Sequence, residues 1–383
     1  MRLAEMADRS SRKISPASAR AHTRKSNQSS TFHFPPGVAR TIVLVALVGF
    51  LAYLYLAIQP PPPKICGSAE GPPVTAPRIK LRDGRHLAYK EHGVPREKAM
   101  YKIVFVHGID SCRHDAVVAN ELSQELVEDL GIYIVSFDRP GYGESDPNLK
   151  LTDKSIALDI EELADQLELG SKFYVIGFSL GGEIVWTCLK YIPHRLAGAT
   201  LMAPVVNYWW SGLPVNLTNE AYYLQHPQDQ WALRVSHYAP WLTYWWNTQK
   251  WFPVLSVVCK NPDVLSRHDK ELMPKLVTRA NYLAQVKQQG IDTSMLNDVN
   301  FAFGKWNFSP LDLQNPFPDN NGSVHLWQGD DDLLVPATLV GYIAQQKPWI
   351  NYHELPGRGH MFPHEDGIIN IIIKTLLLGV EQT

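Results

Sequence analysis

Three patterns of apolar residues divide the chain. One is unbroken: Thr41 to Ile58 reads TIVLVALVGFLAYLYLAI, eighteen residues without a charge, within the ~17–25 that a membrane-spanning helix needs. A helix apolar on every face fits a soluble core poorly, and the run Pro60 to Pro63 breaks it. Another is alternation: Arg78 to Tyr89, RIKLRDGRHLAY, places apolar and polar residues in turn around Asp83-Gly84, which predicts an antiparallel hairpin closed by a two-residue turn. The last is the short continuous run, seen at Lys102 to Val106, Ile132 to Phe137, Phe173 to Ile176, Ala199 to Met202 and Val324 to Trp327, with Tyr352 to Leu355 as a final strand. Runs of this kind, rich in β-branched residues, read as strands buried on both faces of a mainly parallel sheet. Ser155 to Leu169 supplies a covering helix, with Ile156, Ile160, Leu163 and Leu167 at helical spacing. The expected class is α/β.

Between Pro204 and about Asn307 the strand pattern lapses, and this stretch holds eight of the eleven tryptophans (209, 210, 231, 241, 245, 246, 251 and 306). So many large rings argue against disorder and for a mostly helical cap inserted at about 205–307, most of whose tryptophans pack it against the core while a few line an apolar acyl pocket. The expected organisation is a basic tail (1–40), a transmembrane helix (41–58), a stiff Pro-rich linker (59–77) holding the domain off the bilayer, and a catalytic domain (78–383).

Charge refines the membrane reading. Residues 1–40 carry eight Lys/Arg against Glu5 and Asp8, whereas the first residues after the span carry only Lys64 and Glu70. Positive residues stay on the cytoplasmic side, so the N-terminus is expected in the cytosol and the catalytic domain in a lumen or outside, with the span an uncleaved signal anchor. The endomembrane system is the expected location; a Ser/Arg-rich, acid-poor leader keeps a plastid or mitochondrial destination open. The sequons Asn216-Leu-Thr and Asn321-Gly-Ser fit a lumenal domain. A net charge of -2 offers no basic face for nucleic acid. Cys66, Cys112, Cys188 and Cys259 lie far apart, without the spacing of a disulfide framework or zinc site. No ligand cluster or phosphate-binding loop appears, so neither metal nor organic cofactor is indicated.

Tyr174 to Gly182, YVIGFSLGG, is a hydrophobic strand running into Gly177-Phe178-Ser179-Leu180-Gly181, with a helical pattern over Glu183 to Tyr191. A G-x-S-x-G in that strand-turn-helix context places Ser179 on a strained turn, where side chains at 177 or 181 would collide with neighbouring backbone. Its hydroxyl then faces a helix N-terminus, which favours a developing anion. A serine nucleophile needs a base and an orienting acid, in the order Ser, Asp or Glu, His. Strand Val324 to Trp327 leads into Asp330, Asp331 and Asp332 at the carboxyl edge of the sheet, where open α/β folds build their sites. The loop Pro-Gly-Arg-Gly-His ends on His360, placed to take the serine proton and return it to the leaving group. His353 and His364 are nearby rivals, one in the strand and one at a helix start.

Further motifs are His107-Gly108-Ile109-Asp110 after Lys102 to Val106, and Asp138-Arg-Pro-Gly-Tyr-Gly-Glu-Ser145. With G-F-S-L-G, D-L-L-V-P and G-R-G-H, they resemble the α/β-hydrolase superfamily over about residues 78–383, in a flavour similar to plant members of unassigned substrate. The resemblance implies an α/β-hydrolase fold, selects Asp332 through its D-x-x-V-P spacing, and assigns the oxyanion hole to the backbone N–H groups of Ile109 and Leu180. His107 and Gly108 then shape the oxyanion loop, and D-R-P-G-Y-G-E-S is a structural turn. The expected activity is cleavage of a small-molecule or lipid ester through an acyl-enzyme. A hydrolase-fold ligand receptor with little turnover and an acyltransferase stay open as alternatives, and the sequence does not fix an oligomeric state.

Overall fold

The computed structural model describes residues 36–379. The chain divides into a unit ending at Ala57 and one running from Ile58 onward. In the first, Pro36–Ile58 is a single helix, and its 22 residues Gly37–Ile58 form a candidate membrane span. At 1.5 Å per residue they extend about 33 Å, against about 30 Å of hydrocarbon. Proline suits the first turn, where no intrahelical acceptor is lost, and the Pro60–Pro63 run ends the helix. The basic tail falls mainly outside the described residues.

In the second unit, eight strands lie in the order β1-β2-β4-β3-β5-β6-β7-β8. They are β1 (Arg78–Lys80), β2 (His86–Gly93), β3 (Tyr101–Val106), β4 (Ile132–Phe137), β5 (Phe173–Phe178), β6 (Leu196–Met202), β7 (Val324–Gly329) and β8 (Ile350–Leu355). β1–β2 and β2–β4 are antiparallel; the remaining pairs are parallel. Alternation along the central strands splits the core between two faces. Val104, Val106, Val135, Val175 and Leu201 pack with the helix Asp153–Gln166 and the helix Ala337–Gln346. Ile103, Phe105, Ile134, Ile176 and Met202 pack with Val117, Leu126 and the helix Ile368–Leu378 on the other. This is the α/β-hydrolase fold that the motifs imply.

Three boundaries differ from expectation. The opening hairpin turns through three residues, with Leu81 N–H donating to Arg85 O and Gly84 at φ 93°; the Asp83 carboxylate accepts the Arg85 N–H and stabilises the wider turn. The helix expected from Ser155 begins at Asp153, because Thr152 and Ser155 form a reciprocal cap. The stretch 59–77 is not a free spacer along its whole length: Lys64 N–H donates to Gln289 O, and Thr75 and Ala76 N–H donate to the Glu144 carboxylate. A proline-rich strand has no partner of its own, so its few N–H donors pair with the body.

Between β6 and β7 the described chain forms helices and turns, as expected for the insertion, including Val215–Leu224, Pro227–Tyr238, Arg267–Leu272 and Met295–Ala302. Trp210 is buried, and Trp209, Trp246 and Trp306 pack on the core cluster. Trp231, Trp241 and Trp251 are exposed. All four cysteines are free; burial pushes the Cys66 thiol up to about 11 and the Cys188 thiol up to about 12, which leaves both unreactive at neutral pH.

Candidate active site

β5 and the helix Leu180–Tyr191 meet at Ser179, which adopts φ 57°, ψ -120°. Glycine surroundings make the turn possible. A Cβ on Gly177 would lie 2.1 Å from Gly181 O, and one on Gly181 would lie 1.9 Å from Val106 O. Ser179 N–H donates to Met202 O at 2.8 Å and Ser179 O accepts from Val205 N–H at 3.2 Å, so the strained residue is held by the last residue of β6 and the segment after it.

The chain brings Ser179, His360 and Asp332 together. His360 Nε2 is 2.9 Å from Ser179 Oγ and His360 Nδ1 is 2.8 Å from Asp332 Oδ2. A ring nitrogen facing a carboxylate must donate, which leaves Nε2 as the acceptor toward the hydroxyl. Asp332 Oδ1 accepts Leu334 and Val335 N–H, both at 2.9 Å, and Oδ2 accepts from Gln328 Nε2 at 3.0 Å. The carboxylate is thus aimed by its own turn. Burial alone would lower the His360 pKa, but the Asp332 carboxylate outweighs it and raises the ring above its ordinary value, with Asp269 contributing. Among the rivals, Asp330 accepts Gly357 N–H at 2.6 Å, Asp331 is exposed, His353 stacks on Trp327 and His364 faces Glu121.

Gly108 lies directly over Ser179: a Cβ there would be 3.2 Å from Ser179 Cβ. Ile109 follows it, and Leu180 opens the helix after Ser179, where the first N–H groups have no intrahelical acceptor. His107 holds this loop. Its Nδ1–H donates to Gly108 O at 2.7 Å and its Nε2 accepts Arg139 N–H at 3.1 Å, so the ring is neutral. Burial, with the Arg139 cation, keeps its pKa well below the usual range.

Sequence reasoning missed what holds the loop from above. Arg139, inside the D-R-P-G-Y-G-E-S turn, donates to His107 O and Gly108 O at 3.0 and 2.9 Å, and forks onto both Asp298 oxygens at 2.6 Å. Tyr142 OH donates to the same carboxylate. Asp298 lies in the inserted helix Met295–Ala302, 159 residues from Arg139, in no motif. It missed Asp269 as well. That residue is fully buried in the inserted helix Arg267–Leu272 and accepts Met361 N–H, next to His360, at 2.7 Å.

A model of the alpha/beta hydrolase family matches residues 103–367. The chain belongs to the α/β-hydrolase family. Among curated proteins it resembles Protein ABHD14A of Rattus norvegicus, 26% identical over 152 residues, 39% of this chain and 62% of that protein. The Mus musculus counterpart is 24% identical over 151 residues, 39% of this chain and 60% of that protein. The match therefore spans about 60% of the length of these relatives. Among solved structures, a thermophilic esterase from Thermogutta terrifontis with malate bound superposes with TM-score 0.52 at 19% identity, over 78% of this chain and 97% of that one. The enol-lactonase from Burkholderia xenovorans LB400 gives 0.51 at 14% identity, over 78% and 98%. At these identities the α/β-hydrolase likeness is one of fold.

Proposed function

We propose that this α/β-hydrolase is a serine hydrolase that cleaves a carboxylic ester or related acyl bond, anchored to a membrane by its N-terminal helix. The observation that carries the reading is the continuous contact from Ser179 Oγ through His360 to Asp332, at 2.9 and 2.8 Å. His360 Nε2 takes the Ser179 proton as Oγ bonds to the acyl carbon. The oxyanion is held by the N–H groups of Ile109 and Leu180 in a site that needs no reorganisation. Collapse expels the alcohol, which leaves with the proton from His360. Water then repeats the sequence on the acyl-enzyme and regenerates Ser179. Asp332 keeps the ring in the correct tautomer and stabilises it when it becomes positive.

The esterase and lactonase folds of the neighbours agree with an ester or lactone as substrate, and the anchor favours one reached at a bilayer. The likeness to plant membrane-anchored members is part of this proposal and rests on the motifs alone. Labelling with a fluorophosphonate, together with turnover of a p-nitrophenyl ester, tests the reading. Wild type should label and turn over, while Ser179→Ala and His360→Ala lose at least about 10³-fold in kcat. Because His360 must be neutral to accept the proton and its pKa is raised, kcat/KM should fall with acid along a limb centred above the ordinary histidine value of about 6.5. A folded wild type that neither labels nor turns over would sink the hydrolase and leave a ligand-binding protein.

A further inference from the structure

Asp269 lies 63 positions before Asp332 in the sequence and comes from the insertion, yet it reaches the histidine loop. Three contacts define its place. Oδ1 accepts Met361 N–H at 2.7 Å, Oδ2 accepts Ser266 N–H at 3.1 Å, and Asp269 N–H donates back to Ser266 Oγ at 3.2 Å. The carboxylate therefore caps its own helix and grips the residue after His360 with the same group. This also explains the second glycine of G-R-G-H. A Cβ on Gly359 would fall 2.2 Å from Ser266 Oγ and 2.4 Å from Asp269 Oδ1, so the loop can approach the insertion this closely only with glycine there.

We propose that Asp269 is a positioning residue of the active site, a second carboxylate supplied by the inserted segment that fixes the His360 loop and completes the negative surroundings of its ring. The inference rests on the serine-hydrolase reading and extends it: the insertion becomes part of the proton-transfer apparatus as well as a cover. A fully buried carboxylate attracts a nearby imidazolium more strongly than an exposed one, and it adds to Asp332 in stabilising the positive ring that forms as Ser179 attacks. Other charged groups around this loop are already engaged. Arg358 and His268 both face Glu365, with Arg358 at 2.7 Å and His268 at 3.3 Å, His268 Nδ1 accepts Gly359 N–H, and His364 faces Glu121. Phe178 packs against the ring at 5.2 Å between centroids and brings no charge.

The test uses the full-length protein in detergent with nitrogen-15-labelled histidine, the His360 signals being assigned by their loss in His360→Ala. The ring titration is followed beside the pH profile of kcat/KM. In Asp269→Asn the amide oxygen can still accept Met361 N–H but the charge is gone. The His360 midpoint should fall by about half a pH unit, roughly threefold in the proton-binding equilibrium, and the acid limb of kcat/KM should move to lower pH by the same amount. Ser266→Ala removes the helix cap and keeps the charge, so it should lower the melting temperature and leave the midpoint alone. Asp269→Ser, which leaves no buried amide to satisfy, is read in the same way should Asp269→Asn not fold. An unchanged midpoint in the charge-removing variants, or an equal shift in Ser266→Ala, overturns the role of Asp269. Failure of the hydrolase reading looks different: wild type would show no turnover and no labelling, while the ring titration would still decide whether Asp269 acts on His360.

Discussion

Glu183 lies one helical turn beyond Ser179, completely buried, with no hydrogen-bond partner for either carboxylate oxygen among the described residues. Burial, with Asp298 adding to it, raises its pKa well above the ordinary range and favours the neutral acid within the helix that follows Ser179. The sign of the linkage follows. An unfolded chain loses this proton near the usual glutamate value while the folded one retains it, so stability is full below that pH and declines as pH rises toward the folded pKa. Glu183→Gln, the neutral isostere, should match wild type near pH 4 and become progressively more stable above it, by up to about 1.4 kcal/mol per pH unit. Urea unfolding at a series of pH values checks this; parallel curves would show Glu183 ionised in the fold. At the same scale the sequence was most informative about Ser179, because the glycines around it are dictated by close backbone contacts. Glu183 was silent: a polar residue in a helical pattern carries no sign of the face it will occupy.

The oxyanion loop shows how elements far apart in the chain cooperate. His107 and Gly108 follow β3, Arg139 follows β4, and Asp298 belongs to an inserted helix; their hydrogen bonds lock the backbone that would receive the oxyanion. Removing Asp298 leaves the Arg139 guanidinium charged and buried without its counter-ion and strips Tyr142 of its acceptor. Breaking a buried pair in this way costs about 3–5 kcal/mol. Asp298→Ala should therefore be destabilised by that order in chemical denaturation, with kcat reduced more than KM is raised, since the loop would act on the oxyanion in the transition state. A fully stable variant with unaltered kcat would show that the loop holds itself. Hydrophobic runs marked β3 to β7 well, because strands buried on both faces must be apolar throughout. The hairpin turn and the start of the helix Asp153–Gln166 were misplaced by one or two residues, since side-chain caps at Asp83 and Thr152 compete with backbone pattern.

For the whole molecule, the charge asymmetry around the span leads to the expectation of a lumenal hydrolase unit and a cytosolic basic tail. Asn216 and Asn321, the two sequon asparagines, are both exposed in the folded unit. Expression in microsomes should yield a glycosidase-sensitive form lost in Asn216→Gln/Asn321→Gln, and the hydrolase unit should resist added protease until detergent is present. A protease-sensitive, unglycosylated unit would put it on the cytosolic side. By itself, the sequence determined the elements whose signal is local. A charge-free run long enough to span a bilayer, apolar strands, and a serine boxed in by glycines each follow from chemistry within a few residues; chain order then pointed to His360 and to the acids at 330–332, among which the family resemblance chose Asp332. Tertiary structure alone decided which groups converge on those residues. Asp269 and Asp298 reach the site from an insertion whose sequence has no motif, and Lys64 to Ala76 joins the body through backbone donors. The physical reason is that a buried carboxylate or a backbone N–H acquires its role from the partner that folding brings to it, and a partner a hundred residues away leaves no local trace.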